Sequence, residues 1–71
     1  MAHIEAPITG NLWKVLVAAG DVFAPGDTVA IIESMKLEIP VEVDEGGTVR
    51  AVLVAEGEAV AEGAVLLEFE P

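Results

Sequence analysis

Seventy-one residues hold thirteen acidic and three basic side chains, giving a net charge of −10, with one histidine and no cysteine. That length makes a single domain over 1–71 with a modest core. It leaves no disulfide or thiolate site, and too few parts for a histidine metal centre or a conventional triad, so no catalysis by this domain alone is expected. The acidity argues against nucleic acid and anionic membrane surfaces as partners. No apolar run approaches the ~20 residues of a membrane span, and "MAHIEAP" lacks the basic and apolar regions of a signal peptide. The cytoplasm is therefore the expected location.

From the N-terminus onward the chain reads as short strands. His3 is expected at the surface of a first strand. In 11–17, Trp13, Val15 and Val17 share one face while Leu12 and Leu16 fall on the other, so alternation alone does not assign the inner side. Trp13 is expected to cover an open end or face of the core rather than bind a ligand. Turn signals follow at short spacing: Gly20-Asp21, Pro25-Gly26, Glu45-Gly46-Gly47, Gly57-Glu58 and Glu62-Gly63. This pattern belongs to an all-β sandwich or barrel and leaves no room for a helix of ordinary length.

The chain repeats itself. "GNLWKVLVAAGDVFAPGDTVAIIE" (10–33) lies over "GTVRAVLVAEGEAVAEGAVLLEFE" (47–70) without a gap, at an offset of 37. Nine of the 24 positions are identical, three of them glycines, which fix where the backbone turns. Two copies are too few for a solenoid. They predict two similar halves related by an approximate two-fold axis.

Between the halves, Leu37, Ile39, Val41 and Val43 alternate with Glu38, Pro40, Glu42 and Asp44, the pattern of a half-buried strand. Pro40, lacking an N–H, places that strand at a sheet edge or turns its amide side away from a partner. "TVAIIE" (28–33) is another apolar strand. The link Ser34-Met35-Lys36 is then a hairpin turn with Lys36 at its tip. A lysine at a turn is ordinarily just solvated, and Glu33 and Glu38 then form only weak surface pairs with it. Three features weigh against that reading. Met35 and Leu37 flank the tip and cannot both be buried in a tight turn. Lys14 is the only other lysine. The turn falls where the two halves join, so a rigid β scaffold displays it as a handle for a protein or for covalent modification.

"ESMKLEIP" resembles the attachment motif of the biotinyl/lipoyl domain family, in which Glu-(Ala/Ser)-Met-Lys-(Met/Leu) marks biotin-accepting members. The similarity extends to "EAPITGNLWKVLVAAGDVFAPGD" and "GGTVRAVLVAEGEAVAEGAVLLEFE", nearly the whole chain. It implies a flattened barrel of two four-stranded antiparallel sheets with quasi two-fold symmetry, carrying its lysine on an exposed hairpin. It implies covalent biotin on Lys36, with Met35 and Leu37 at the positions a biotin ligase reads and Glu33 and Ser34 matching the preceding ones. Leu37 departs mildly, since Met is commoner there. Lipoyl-accepting members usually carry Asp-Lys-(Ala/Val), so Met35 favours biotin. Lys36 is not expected to react unaided, because an ammonium is a poor nucleophile until it loses its proton.

The implied function is a non-catalytic carrier that shuttles a carboxyl group between biotin carboxylase and carboxyltransferase, is loaded by biotin protein ligase, and is a monomer in isolation. The alternatives are a lipoyl carrier of a 2-oxoacid dehydrogenase-type system and an unmodified interaction domain of the same fold. Members from multisubunit bacterial acetyl-CoA carboxylases carry a thumb inserted in the first half. The ungapped match of "VLVAAGDVFAPGD" to "VLVAEGEAVAEGA" leaves no room for one here. No Ala/Pro-rich linker precedes "IEAP", so the expectation is either a free-standing carrier or a piece of a longer carboxylase.

Overall fold

A computed structural model describes residues 2–71, measuring 32 × 20 × 18 Å. Eight strands follow in chain order: β1 (Ala2–Glu5), β2 (Gly10–Val15), β3 (Val22–Phe23), β4 (Thr28–Ser34), β5 (Leu37–Glu42), β6 (Gly47–Val52), β7 (Ala59–Val60) and β8 (Val65–Glu70). They form two four-stranded antiparallel sheets, ordered β1-β8-β6-β3 and β5-β4-β2-β7. Among the described residues there is no helix.

The sheet orders display the repeat. Adding 37 to a residue number carries β2 onto β6, β3 onto β7 and β4 onto β8. The same shift carries Ala6 onto Val43, and the two make equivalent bonds. Ala6 N–H donates to Ala64 O and Gly63 N–H to Ala6 O, while Val43 N–H donates to Asp27 O and Gly26 N–H to Val43 O. β5 is thus the counterpart of β1, and the pseudo two-fold exchanges one sheet for the other.

Turn chemistry follows the same rule. Asp27 N–H donates to Ala24 O, Pro25 stands second in that turn, and Gly26 third with φ +89°. This is the type II pattern, which needs a left-handed third residue and accepts proline before it. Its counterpart is closed by Ala64 N–H to Ala61 O around Gly63, with φ +88°. The first half adds side-chain closure, with Asp21 and Asp27 carboxylates accepting from Ala18 and Ala24 N–H at 2.8 Å.

Each half also carries two β-bulges, and they resolve the ambiguity of 11–17. Pairing runs Leu12↔Ile32 and then Lys14↔Ile31, leaving Trp13 without a partner. The extra residue reverses the alternation, so Leu12 and then Val15 and Val17 turn toward the core while Trp13 and Leu16 turn away. Arg50 is the matching unpaired residue between Val49 and Ala51. A second pair of bulges leaves out Val29 and Leu66, so the neighbours Val29/Ala30 and Leu66/Leu67 are all buried. Trp13 does not cover the core, contrary to the expectation from its size. The bulge leaves it 44 % exposed, with the Lys14 ammonium 5.5 Å from its ring centroid.

Most of the core falls into matched pairs, Leu12/Val49, Phe23/Val60, Val29/Leu66, Ala30/Leu67, Ile32/Phe69 and Val43/Ala6, while buried Val41 answers to the partly buried Ile4. Phe23 and Phe69 meet edge to face at 5.1 Å, a contact their aliphatic counterparts do not copy. β5 is an edge strand, which accommodates Pro40 as its missing N–H requires. His3 is exposed in β1, 3.4 Å from the Glu68 carboxylate.

Gly10 and Gly47 open the long strands because no larger residue fits. An ideal Cβ on Gly10 would lie 2.5 Å from Glu33 O and 2.8 Å from Ile32 Cγ2, and one on Gly47 would lie 2.6 Å from Glu70 O and from Phe69 Cδ2. Gly10→Ala and Gly47→Ala should each destabilise by about 1–3 kcal/mol, the usual cost of overpacking. Urea unfolding of the single variants checks this, and wild-type midpoints would refute the close approach.

Candidate functional site

The β4–β5 hairpin carries the candidate site. Its pairing continues through Glu33↔Glu38 to Ser34↔Leu37. Ser34 therefore belongs to β4, not to the turn as the sequence suggests, and the loop contains only Met35 and Lys36. Both have positive φ, +52° and +65°. Left-handed backbone at both central residues is the mark of a type I′ hairpin turn, whose twist matches that of the flanking strands. Asn-Gly is the usual occupant. Two long side chains hold this turn instead, and each left-handed residue costs roughly 1–2 kcal/mol.

The hairpin emerges gradually from the core. Along β5 the inner face runs from buried Val41 through partly buried Ile39 to Leu37, which is 64 % exposed. The expected alternation holds in direction, but its last member has passed the rim of the core. Met35 is 90 % exposed, and Lys36 is exposed beside it. The ion pairs among the described residues are His3–Glu68 and Arg50–Glu70, and Lys36 enters neither. Glu33 and Glu38 face each other across the ladder rather than pairing with Lys36, and like charges in that position repel.

Beyond the β2–β4 ladder, a side-chain hydrogen bond among the described residues ties the hairpin to the body of the domain. The Ser34 hydroxyl donates to Thr9 O at 3.0 Å, and the Thr9 hydroxyl accepts from Glu62 N–H at 2.9 Å. Thr9 thereby ties the base of the turn to the segment after β7. Sequence reasoning missed this residue, since nothing local to Thr9 in "PITGN" signals the contact. Its place next to Gly10, where β2 touches β4, is what gives it a role.

The site offers a primary amine at the apex of a rigid hairpin, between two exposed apolar side chains and above two carboxylates. Among the described residues no ion pair engages the amine. Among the described residues no group of histidine or acidic side chains could hold a metal. Lys14 stands in different surroundings, inside β2 and stacked on Trp13. An exposed, unpaired amine fits a covalently attached group better than a bound one.

Comparison with known proteins agrees with this geometry. Residues 2–69 match the family described as "Biotin-requiring enzyme". The chain is 52 % identical over 66 residues to a biotin/lipoyl attachment protein of Bacillus subtilis, covering 93 % of this chain and 90 % of that protein. Pyruvate carboxylase of the same organism is 41 % identical over 97 % of this chain, which spans only 6 % of the enzyme. The biotin carboxyl carrier protein of acetyl-CoA carboxylase from Nostoc is 35 % identical and shares 43 % of its length. That alignment runs over 78 positions against a chain of 71 residues, so the Nostoc protein holds residues this one lacks.

Among solved structures, Kluyveromyces lactis urea carboxylase superposes with a TM-score of 0.85 at 35 % identity, over 93 % of this chain and 6 % of the enzyme. A single-chain, multi-domain long-chain acyl-CoA carboxylase superposes with a TM-score of 0.91 at 25 % identity, over 96 % of this chain and 7 % of its own. With a family match along almost its whole length and a relative of its own size more than half identical, the chain belongs to the biotin/lipoyl attachment family.

Proposed function

We propose that this domain is a carrier that holds biotin in amide linkage on Nζ of Lys36 and presents it to the active sites of a biotin-dependent carboxylase. The observation that carries the proposal is a lysine held at the apex of a strained two-residue turn, in a family whose large members are carboxylases. Loading requires the neutral amine. Nζ attacks the acyl carbon of biotinyl-adenylate, a mixed acyl-phosphate anhydride, the bond from that carbon to the phosphate oxygen breaks, adenylate departs with the electron pair, and the ligase takes the amine's proton. Biotin, once attached, supplies an atom that accepts and releases a carboxyl group.

The chain's own residues do the rest. The left-handed turn holds Lys36 exposed at the hairpin tip, and the Ser34–Thr9 bond ties the hairpin at its base. Met35 and Leu37 give a ligase two apolar contacts on either side of the amine. The domain performs no chemistry itself, and biotin protein ligase, biotin carboxylase and carboxyltransferase are its partners in this reading. Lipoate is the second reading, because the Bacillus relative is described as an attachment protein for either group. Met35 stands where lipoyl-accepting members usually carry Asp, which favours biotin. Intact mass of the protein made with both ligases present separates one biotinyl group, one lipoyl group and no group at all.

Lys36→Arg should abolish biotinylation and change stability by less than about 0.5 kcal/mol, since the site is exposed and Arg inherits the same backbone strain. Lys36→Gly should also abolish it while raising stability by about 0.5–1 kcal/mol, because glycine relieves a left-handed residue at some entropic cost. Streptavidin blotting and urea unfolding read the two effects. Biotin retained in either variant would move the site to Lys14.

Met35→Asp should slow biotinylation by on the order of 100-fold, the equivalent of about 2.7 kcal/mol for desolvating an unpaired charge in an apolar ligase site. The fold should survive, since the side chain is outside the core and Asp tolerates left-handed backbone better than Met. Initial rates under one ligase, with circular dichroism on both proteins, check this. Equal rates would show that the ligase reads only the position of Lys36.

A further inference from the structure

Met35 is the most exposed large apolar side chain among the described residues, at 90 %, and no core contact fixes its position. The chain has no cysteine, so no thiol competes for an oxidant, and Met1 is the only other methionine. The remaining soft target, Trp13, is half covered and lies beneath the Lys14 ammonium. A thioether so placed reacts by exposure alone. It also adjoins the amine on which the proposed function depends.

We propose that Met35 is a site of reversible oxidation by hydrogen peroxide, and that its sulfoxide slows the loading of Lys36. The regulatory part rests on the biotin-carrier reading. The sulfur lone pair attacks one peroxide oxygen, the O–O bond breaks, and the second oxygen leaves as water after taking up a proton. Sulfur loses two electrons and peroxide gains them. Reduction of the sulfoxide by a dithiol enzyme returns the thioether, with release of water and formation of a disulfide in the reductase. Separate reductases serve the two sulfoxide epimers, and the open turn admits both.

The oxidation changes the surface that a ligase meets and leaves the fold alone. A flexible apolar side chain becomes polar and bulkier at sulfur. Burying that dipole against an apolar ligase surface slows transfer on the order of tenfold. The core is untouched, because Met35 contributes nothing to it. This separates the effect from general oxidative damage.

The test uses the full chain, unbiotinylated, treated with hydrogen peroxide and then catalase before any ligase is added. Tandem mass spectrometry should find one added oxygen on Met35, and circular dichroism should show an unchanged fold. The initial biotinylation rate of wild type should fall about tenfold and recover after treatment with both methionine sulfoxide reductases. Met35→Leu, compared with its own untreated sample, should be insensitive to peroxide. The inference is overturned by an undiminished wild-type rate with Met35 oxidised, by oxygen appearing on Met1 or Trp13 with Met35 intact, or by an equal loss in Met35→Leu. Failure of the untreated wild type to gain biotin sinks the carrier reading itself, and the inference with it.

Discussion

The contact on which this domain depends is the approach of the β2 backbone to the β4 backbone at Gly10. A side chain there would strike the Glu33 carbonyl, two residues before the turn that bears Met35 and Lys36. Because the strands close up at that point, Thr9 comes within reach of the Ser34 hydroxyl, and the hairpin gains a side-chain brace. The packing that begins the core thus also holds the site. A rigid base matters because the turn gains no support from burial and stores left-handed strain in two residues.

Bulges explain how so small a chain closes a core between two sheets. Each half inserts one residue in its long central strand and one in the strand beside it, which strengthens the twist and curls the sheet. The insertions occur at matching positions, so the two sheets curl alike and wrap the same set of paired apolar side chains. The cost is that Trp13 and Leu16 turn outward in one half, and Arg50 and Leu53 in the other.

The repeat, the turn glycines and the clean alternation of 37–43 made the strand content, the two-fold relation and the position of Lys36 legible from the residues. Resemblance to a known family supplied the sheet count. The bulges were not legible, because an extra residue leaves no mark on composition and only spoils the alternation around it. The unassigned face of 11–17 was that spoilage, and the outward turn of Trp13 followed from it. Nor was the left-handed turn foreseeable. Sequence rules look for glycine or asparagine where φ is positive, and Met35 and Lys36 are neither. The Thr9 brace depends on a contact 25 residues distant in the chain and has no local signal.

The pseudo two-fold has one further consequence. The shift that carries β4 onto β8 and β1 onto β5 sends the Met35–Lys36 turn into the gap between the C-terminus and the N-terminus. Where one sheet has a closed loop, the other has the start of β1 paired beside the end of β8. A longer polypeptide can therefore be spliced onto either end, or both, through a sheet that does not contain the lysine. The chain ends and the Met35–Lys36 turn thus occupy equivalent corners of the same frame, in different sheets.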